Sequence, residues 1–282
     1  MCDCDQKEKA IGKTQKQKMQ DPEGFRRKET FYEVILDDCP EAVMIFSMRL
    51  DRIPSFVQLP EHETENKNDL DYHFLSRQLN IDPSRIVFIE QVHGSKIVNP
   101  KNEPEPFVGD AVITDETNCY PSIKTADCQS ILIIDPIRKV TAAIHAGWKG
   151  TVQRITRKVI LELETAYGCS PSDLIAALGP SVGTCCYEVD EKVIEPFRKS
   201  APDADRFIES YMITDPISGV DRISSRLDLR RTNKHELLEL GVNSDNIKDL
   251  DLCTQCHDTM FYSYRRDGAN PGRLIALAGF RL

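Results

Sequence analysis

The sequence lacks any apolar run approaching the ~20 residues that a membrane-spanning helix requires. Residues 1–20 also lack the apolar segment of a secretory signal peptide, and they are polar and weakly patterned. We therefore expect a cytoplasmic protein with no membrane partner, which begins with a disordered polar tail over residues 1–25.

An excess of positive charge is also missing, since 36 Lys and Arg residues stand against 45 Asp and Glu residues, for a net charge of −9. An acidic chain is poorly suited to a phosphate backbone, so we expect no nucleic-acid partner. The sequence contains neither a G-x-G-x-x-G fingerprint nor a Walker loop, and it therefore implies no nucleotide cofactor.

Histidine is scarce, with six residues and no His-x-His pair. A multicopper oxidase with a trinuclear copper cluster would need more imidazole ligands than this, so the sequence argues against laccase chemistry.

Cysteine, by contrast, is abundant, with ten residues that we expect to be thiols or metal ligands in a chain without an export signal. Cys253, Cys256 and His257 match the C-x-x-C-H haem-attachment pattern, but covalent haem attachment requires export, so we expect no haem. A structural zinc would need two more ligands. The adjacent Cys185 and Cys186 could supply them in principle but are awkward ligands, so we interpret these residues as thiols near a functional rim.

The sequence is organised around a predicted β-hairpin. Residues 128–135 and 140–144 are short runs rich in β-branched residues, and a tight turn separates them. In an antiparallel pair, the start of one strand lies beside the end of the next, so Cys128 and His145 are expected to meet at one rim of the sheet. A further strand-like run ends at His93.

The rest of the sequence mixes helical and strand patterns. Residues 151–167 place apolar side chains on one helical face and end at Gly168, a good C-cap. Residues 212–221 are predicted to form a loop. Further helices are predicted over residues 70–79, 191–198 and 225–240, and further strands over residues 31–36, 42–46, 86–92, 111–114, 174–178 and 273–280. Without a strict βαβ order, this mixture predicts an α+β fold of layered mixed β-sheets flanked by helices, in a single domain over residues 26–282.

His93, Cys128 and His145 form the main candidate site. Three protein ligands and one open position are typical of catalytic zinc, which lowers the pKa of a water in the open position to ~7. Two other interpretations use the same residues. Cys128 could be a thiolate nucleophile with a histidine as its base, or the set could be a blue-copper centre, which needs a weak axial ligand such as Met.

Two basic positions are candidates for binding an anion. Lys149 lies at the start of the predicted helix, and helix N-termini favour anions. Arg265 and Arg266 lie beside aromatic residues, where either could hold a phosphate or carboxylate.

The sequence contains a series of motifs in a fixed order, namely Gln91-Val-His-Gly94, Gly109-Asp-Ala-Val-Ile-Thr114, Thr125-Ala-Asp-Cys128, Ala143-Ile-His-Ala-Gly-Trp-Lys-Gly150, Leu178-Gly-Pro-Ser-Val-Gly183, Cys186-Tyr-Glu-Val189 and Phe261-Tyr-Ser-Tyr-Arg-Arg266. In these motifs the sequence resembles the laccase-domain family, also called the purine nucleoside phosphorylase or peptidoglycan editing factor family. The match runs from about residue 86 to residue 282. The family's metal site falls on His93, Cys128 and His145.

The resemblance implies a layered α+β fold, a Zn²⁺ or copper ion, and small-molecule purine nucleosides and phosphate as substrates. The implied reactions are phosphorolysis of adenosine, inosine and S-methyl-5′-thioadenosine, with deamination of adenosine beside them. Because bacterial members are also linked to removing misincorporated serine from UDP-MurNAc, a Cys-dependent hydrolase that edits peptidoglycan precursors is the alternative. A non-catalytic metal-binding module is a third class.

The resemblance adds Arg49 to the candidate residues and suggests roles for the others. Arg49 matches an arginine of the family, although the family's Gly-Gly-Val-Ser loop near it is absent. Arg49, Lys149 and Arg265 are the candidates for holding the attacking phosphate. Asp127 or Asp110 is the candidate proton shuttle, because the H-x-E box of other zinc deaminases is missing.

Overall fold

The computed structural model describes residues 21–49, 67–214, 221–269 and 271–282. Within these ranges the α-helices are α1 (Lys67–Leu79), α2 (Trp148–Val152), α3 (Ile155–Tyr167), α4 (Glu191–Ser200), α5 (Leu229–Glu239) and α6 (Tyr264–Asp267). The strands are β1 (Phe25–Arg27), β2 (Phe31–Val34), β3 (Ala42–Ser47), β4 (Ile86–Phe88), β5 (Ile97–Val98), β6 (Ala111–Thr114), β7 (Tyr120–Thr125), β8 (Gln129–Asp135), β9 (Val140–Ala146), β10 (Ile175–Leu178), β11 (Glu188–Val189), β12 (Ile208–Thr214), β13 (Asp221–Leu227), β14 (Ile247–Asp249) and β15 (Leu274–Phe280). Residues 1–20 of the predicted tail lie outside these ranges, and its last residue, Phe25, is buried in β1.

Two six-stranded sheets form the middle of the fold, with strand orders β1-β2-β3-β15-β7-β4 and β14-β10-β8-β9-β6-β5. Both are mixed, because β4 pairs in parallel with β7, and β5 and β14 pair in parallel with β6 and β10. This arrangement confirms the predicted α+β fold of layered mixed sheets.

The core lies between the layers. Met44, Phe46 and Ile123 of the first sheet pack against Leu132 and Ala143 of the second. Helix α1 covers the outer face of the first sheet, whereas α3 and α5 cover the outer face of the second. The central strands β8 and β9 are therefore enclosed on both faces and buried along their whole length, which explains why the middle of each is a continuous apolar run.

The predicted hairpin is confirmed. Strands β8 and β9 pair antiparallel, with Gln129 opposite Ala146 and Asp135 opposite Val140. The residue before β8, Cys128, therefore lies at the same rim as His145, near the end of β9.

The predicted helix over residues 151–167 is broken near its start. Arg154 has φ 58°, in the left-handed region, which separates the short α2 from α3. The predicted end is correct, because Gly168 at φ 66° donates its N–H to the carbonyl of Glu164 as a left-handed C-cap. Lys149 consequently lies in α2 and not at the N-terminus of the long helix.

The predicted loop over residues 212–221 is wrong at both ends. Residues 208–214 and 221–227 pair as β12 and β13 in a third, three-stranded sheet of order β11-β13-β12. Strand β13 also includes residues 225–227, which were predicted to begin the helix over residues 225–240. That helix begins at Leu229. The strand β12 alternates between half-buried and exposed residues at its end, so it lacks the apolar run on which the prediction depended. None of the helices in the described ranges is long and apolar enough to span a membrane.

Candidate metal centre and cavity

The structure brings the three predicted ligands together. Their ligand atoms all lie within 4.8 Å of one another, and the rings of His93 and His145 are 4.9 Å apart at 79°. Cys128 and His145 are placed by the β8–β9 hairpin. His93, however, is not at a strand end, because β4 stops at Phe88 and four residues separate it from His93.

Asp110 joins His93 to the hairpin. It is fully buried just before β6, and its Oδ1 lies 2.8 Å from Nδ1 of His145. The same oxygen accepts the main-chain N–H of His93 at 2.9 Å, and Oδ2 accepts that of Gly94 at 2.6 Å. These bonds hold the turn in which His93 has φ 57°. One carboxylate thus fixes both histidines.

The same contacts determine the charge of Asp110. Burial acts to raise its pKa, but the hydrogen bonds from His145, Gly94 and His93 outweigh burial and hold the pKa below the usual carboxyl value. The group is therefore an anion at neutral pH, so Nδ1 of His145 carries the hydrogen and Nε2 faces the centre.

Cys128 is activated by its histidine neighbours. Burial opposes ionisation of the thiol, but hydrogen bonds from His145 and His93 outweigh it and lower the pKa of Cys128 to about 7. Burial also opposes the imidazolium of His145, but its hydrogen bonds to Asp110 and Cys128 raise its pKa to about 9. Without a bound ion, the centre therefore favours a thiolate beside an imidazolium.

The donor set fits a zinc-sized ion. One thiolate and two imidazoles are among the ligand combinations of catalytic zinc, and the carboxylate on the second nitrogen of a ligating histidine is the usual supporting contact. Gly147 leaves room beside the donors, because a Cβ there would lie 3.0 Å from Sγ of Cys128 and 3.7 Å from Nε2 of His145. A side chain at this position would therefore crowd the donor atoms.

A cavity of about 680 Å³ opens onto the centre. Its wall combines three aromatic residues, three cationic residues and one carboxylate among the described residues. The lining comprises Ile89, Gln91, His93, Lys124, Thr125, Ala126, Asp127, Cys128, His145, Trp148, Tyr187, Tyr264, Arg265 and Arg273. The volume lies within the range of about 300–1,000 Å³ that is usual for small-molecule sites.

Arg265 and Asp127 are the other predicted site residues that line the cavity, and they contact each other. The main-chain N–H of Arg265 donates to Oδ2 of Asp127 at 2.7 Å, and the Arg265 guanidinium lies 4.9 Å from the centre of the Tyr187 ring. Oδ1 of Asp127 accepts the hydroxyl of Thr254 at 2.5 Å. One Asp127 oxygen therefore accepts a main-chain N–H and the other accepts a side-chain hydroxyl, which differs from the free carboxylate that a proton shuttle would need.

Lys149 and Arg49 do not line the cavity. Lys149 is exposed, and its Nζ lies 5.7 Å from the centre of the neighbouring Trp148 ring. The Arg49 guanidinium donates to the carbonyl of Asp258 at 2.8 Å and lies 4.8 Å from the centre of the Tyr262 ring. These placements argue against the phosphate role predicted for either residue.

Sequence reasoning missed several residues of the wall. Trp148 directly follows the His145 motif, and Tyr187 and Tyr264 stand beside residues already singled out, so their position in the sequence was a usable signal. Lys124 lies in β7 and Arg273 just before β15, two strands that pair with each other, and nothing in the local sequence indicates that they face the centre.

The fold and the centre together define a layered α+β protein with a His–Cys–His site at the rim of a buried hairpin. Residues 61–281 match the family described as multi-copper polyphenol oxidoreductase laccase. The chain is 34% identical over 190 residues to a purine nucleoside phosphorylase of Clostridium acetobutylicum, covering 67% of this chain and 74% of that protein. It is 31% identical over 209 residues to the adenosine deaminase RL5 of an unknown prokaryotic organism, covering 71% of this chain and 76% of that protein.

A solved structure extends the comparison to the whole fold. The crystal structure of YlmD from Geobacillus stearothermophilus matches with a TM-score of 0.74 at 26% identity, covering 93% of this chain and all of that one. The chain belongs to the laccase-domain family.

Proposed function

We propose that the chain is a zinc-dependent purine nucleoside enzyme that cleaves adenosine, inosine and S-methyl-5′-thioadenosine by phosphorolysis and also deaminates adenosine. One observation carries the proposal: a single cavity of about 680 Å³ combines aromatic walls, cationic side chains and the His–Cys–His centre. The names of the relatives, purine nucleoside phosphorylase and adenosine deaminase, support it.

The two kinds of wall suit the two parts of the substrates. A purine is a flat ring, and stacking on aromatic side chains contributes about 1–3 kcal/mol per base. We assign this contact to Trp148, which is half-buried, and Tyr187, which is buried. Phosphate is an anion with several acceptor oxygens, and it suits the cationic side chains of Arg265, Arg273 and Lys124.

His93, Cys128 and His145 would hold the ion. When bound there, zinc would supply Lewis-acid polarisation and a lowered pKa for a coordinated water. We favour zinc over a blue-copper centre because the described residues that line the cavity include no methionine to act as the weak axial ligand. The other side chain of that kind, Gln91, is already hydrogen-bonded through both ends of its amide to the main chain of Lys124. A trinuclear copper cluster has no support either, since no candidate metal group in the described ranges contains more than two histidines.

The chain's own residues have separate tasks in this scheme. Phosphorolysis breaks the bond between C1′ and the base nitrogen and joins C1′ to a phosphate oxygen, with charge developing on the ribose and the departing base. Arg265 would orient the phosphate, because it is both at the cavity wall and held at its main chain by Asp127. Asp127 is then a positioning residue, and Asp110 keeps Nε2 of His145 directed at the centre.

The test is incubation of the purified protein with inosine and phosphate. We expect hypoxanthine and ribose 1-phosphate in equal amounts, with loss of both products in Cys128→Ala. Release of free ribose, the product of hydrolysis, would contradict the proposal. So would the absence of any product when inosine, adenosine and S-methyl-5′-thioadenosine have each been tried.

The phosphate contact has a matched pair of variants. Arg265→Ala removes the guanidinium but keeps the main-chain N–H that donates to Asp127, so the fold of this turn is preserved. A hydrogen bond to a charged group contributes about 1.5–3 kcal/mol, so the KM for phosphate should rise about 10- to 100-fold while deamination of adenosine changes little. Lys149→Ala removes an exposed cation that does not line the cavity, and we expect it to match the wild type. An equal effect of both variants would contradict the assignment.

A Cys128-dependent hydrolase that removes serine from UDP-MurNAc is the second candidate. The observation that favours it is the pKa of about 7 for Cys128 between two imidazoles, which makes a thiolate available at neutral pH. A thiolate nucleophile needs no ion, so this activity should survive exhaustive chelation, whereas phosphorolysis should be lost and should return with zinc. Release of serine that requires zinc would contradict the thiolate mechanism.

A further inference from the structure

Four cysteines form a second cluster, away from the His–Cys–His centre. Cys185 and Cys186 lie in the loop between β10 and β11, and Cys253 and Cys256 lie in the loop between β14 and α6. All four Sγ atoms lie within 4.8 Å of one another, with Sγ of Cys256 at 3.6 Å from that of Cys185 and 3.4 Å from that of Cys186. We propose that these four thiolates bind a structural zinc ion.

The spacing of the sulfur atoms suits one ion. With Zn–S bonds of about 2.3 Å in a tetrahedron, neighbouring sulfurs lie about 3.8 Å apart. The Sγ distances of 3.6 and 3.4 Å from Cys256 are close to this spacing, and the remaining pairs lie within 4.8 Å, whereas a disulfide would bring two sulfurs to about 2.05 Å. An iron–sulfur cluster is larger than a single ion and would hold its four thiolates further apart than the 4.8 Å limit seen here.

The main chain around the cluster is shaped for metal-bound sulfur. The N–H of Gly183 donates to Sγ of Cys253 at 3.3 Å, a contact that stabilises a thiolate. Gly183 also leaves needed space, because a Cβ there would lie 3.2 Å from Cβ of Cys253 and 3.3 Å from Sγ of Cys185. The adjacent cysteines, which are awkward ligands on an extended chain, are here in a turn that directs both sulfurs to Cys256.

Four protein ligands leave no open position, which distinguishes a structural zinc site from a catalytic one. The ion would join two loops that form one side of the cavity. Tyr187, which directly follows Cys186, lines the cavity. Thr254, which directly follows Cys253, donates to the Asp127 carboxylate beside the centre. Two main-chain hydrogen bonds already connect the loops at this point: the N–H of Thr254 donates to the Ser181 carbonyl at 2.9 Å, and the N–H of Ser181 donates to the Leu252 carbonyl at 3.3 Å.

The test counts metal ions in protein purified under reducing conditions with zinc supplied. We expect two zinc ions per chain in the wild type and one in Cys128→Ser, which disrupts the His–Cys–His centre. Cys256→Ser should also retain one, whereas Cys119→Ser, a half-buried cysteine outside both clusters, should retain two. A wild-type protein with a single zinc that Cys128→Ser removes would overturn the proposal, as would stoichiometric iron with sulfide.

A second measurement needs no substitution in the cluster and so does not depend on such a variant folding. Folded Cys128→Ser is titrated with a mercurial reagent in the presence of a colorimetric zinc indicator. We expect release of about one zinc per chain as the four thiols react. Absence of release, or a non-reduced mass lighter by two or four hydrogen atoms because disulfides have formed in the cluster, would overturn the proposal. Cobalt(II) in the same protein should give the intense colour of a tetrahedral thiolate site.

Discussion

Asp110 is the residue whose substitution tests the organisation of the centre most sharply. The change Asp110→Asn preserves shape and volume but replaces one carboxylate oxygen with an NH₂ group. Oδ1 faces two donors, the N–H of His93 and Nδ1 of His145, and Oδ2 faces the N–H of Gly94. Whichever way the amide is oriented, at least one N–H group must face another donor inside the protein.

The magnitude follows from these contacts. A hydrogen bond to a charged group contributes about 1.5–3 kcal/mol, so loss of one such bond to Asp110 should lower the free energy of unfolding by about 2–3 kcal/mol. If the amide NH₂ faces His145, that ring must accept at Nδ1 and carry its hydrogen on Nε2, where it blocks ligation. Loss of a carboxylate that supports a ligating histidine typically costs 10- to 100-fold in metal affinity.

Two assays separate these effects. Competition with a chromophoric chelator gives the zinc affinity of the His–Cys–His centre, measured in a Cys256→Ser background so that the second cluster does not contribute. Urea unfolding of the metal-free protein gives the stability. Asp245→Asn, at an exposed carboxylate far from the centre, is the matched control and should leave both quantities unchanged.

A zinc affinity for Asp110→Asn within threefold of the parent would refute this reasoning. It would mean that His145 reaches its ligating tautomer without the carboxylate. A loss of stability with normal affinity would assign Asp110 to the fold of the His93 turn alone.

Three further predictions concern the surroundings of the centre. Gly147→Ala should destabilise the protein by about 1–3 kcal/mol and lower its zinc content, since the new Cβ would lie 3.0 Å from Sγ of Cys128; unchanged melting temperature and metal content would contradict it. Thr254→Val removes a buried 2.5 Å hydrogen bond to the Asp127 carboxylate and should cost about 1.5–3 kcal/mol in urea unfolding, and a cost below about 0.5 kcal/mol would show that the bond is unimportant. Trp148→Ala should raise the KM for inosine at least about fivefold, with Trp148→Phe close to the wild type, and equal values for both would remove the stacking role.

The sequence was sufficient for the central fold because β8 and β9 are enclosed on both faces. Enclosure favours a near-continuous apolar run, and such runs are easy to recognise. The third sheet was missed because every residue of β12 is half-buried or exposed and its apolar residues are mixed with polar ones, so nothing in residues 208–214 separates a strand from a loop. The left-handed conformation of Arg154, which splits the predicted helix, likewise cannot be predicted from the spacing of apolar residues.

The candidate site was predictable where chain order brings residues together. Cys128 and His145 belong to one hairpin, so pairing rules alone place them side by side. The role of Asp110 was not predictable, because its contact with His93 depends on an irregular turn after β4. The four-cysteine combination was considered from the sequence but set aside, because adjacent cysteines are awkward ligands. Its members come from loops about 70 positions apart, as the separation of Cys186 and Cys256 shows, so only the fold reveals that they meet.

The enclosure of β8 and β9 has a consequence for the motions of the protein. Amide groups in strands buried on both faces exchange their hydrogens with solvent only through opening of the whole fold. The amides of Ile131–Ile134 should therefore be among the slowest to exchange, and Cys128 and His145 extend from this slow hairpin. Tyr187 lies in a loop and Arg265 in the short helix α6, both outside the sheets, so their amides should exchange on a shorter timescale than those of β8. The candidate metal centre thus rests on the part of the fold that is expected to open last, whereas one wall of the cavity rests on segments that are expected to open more often.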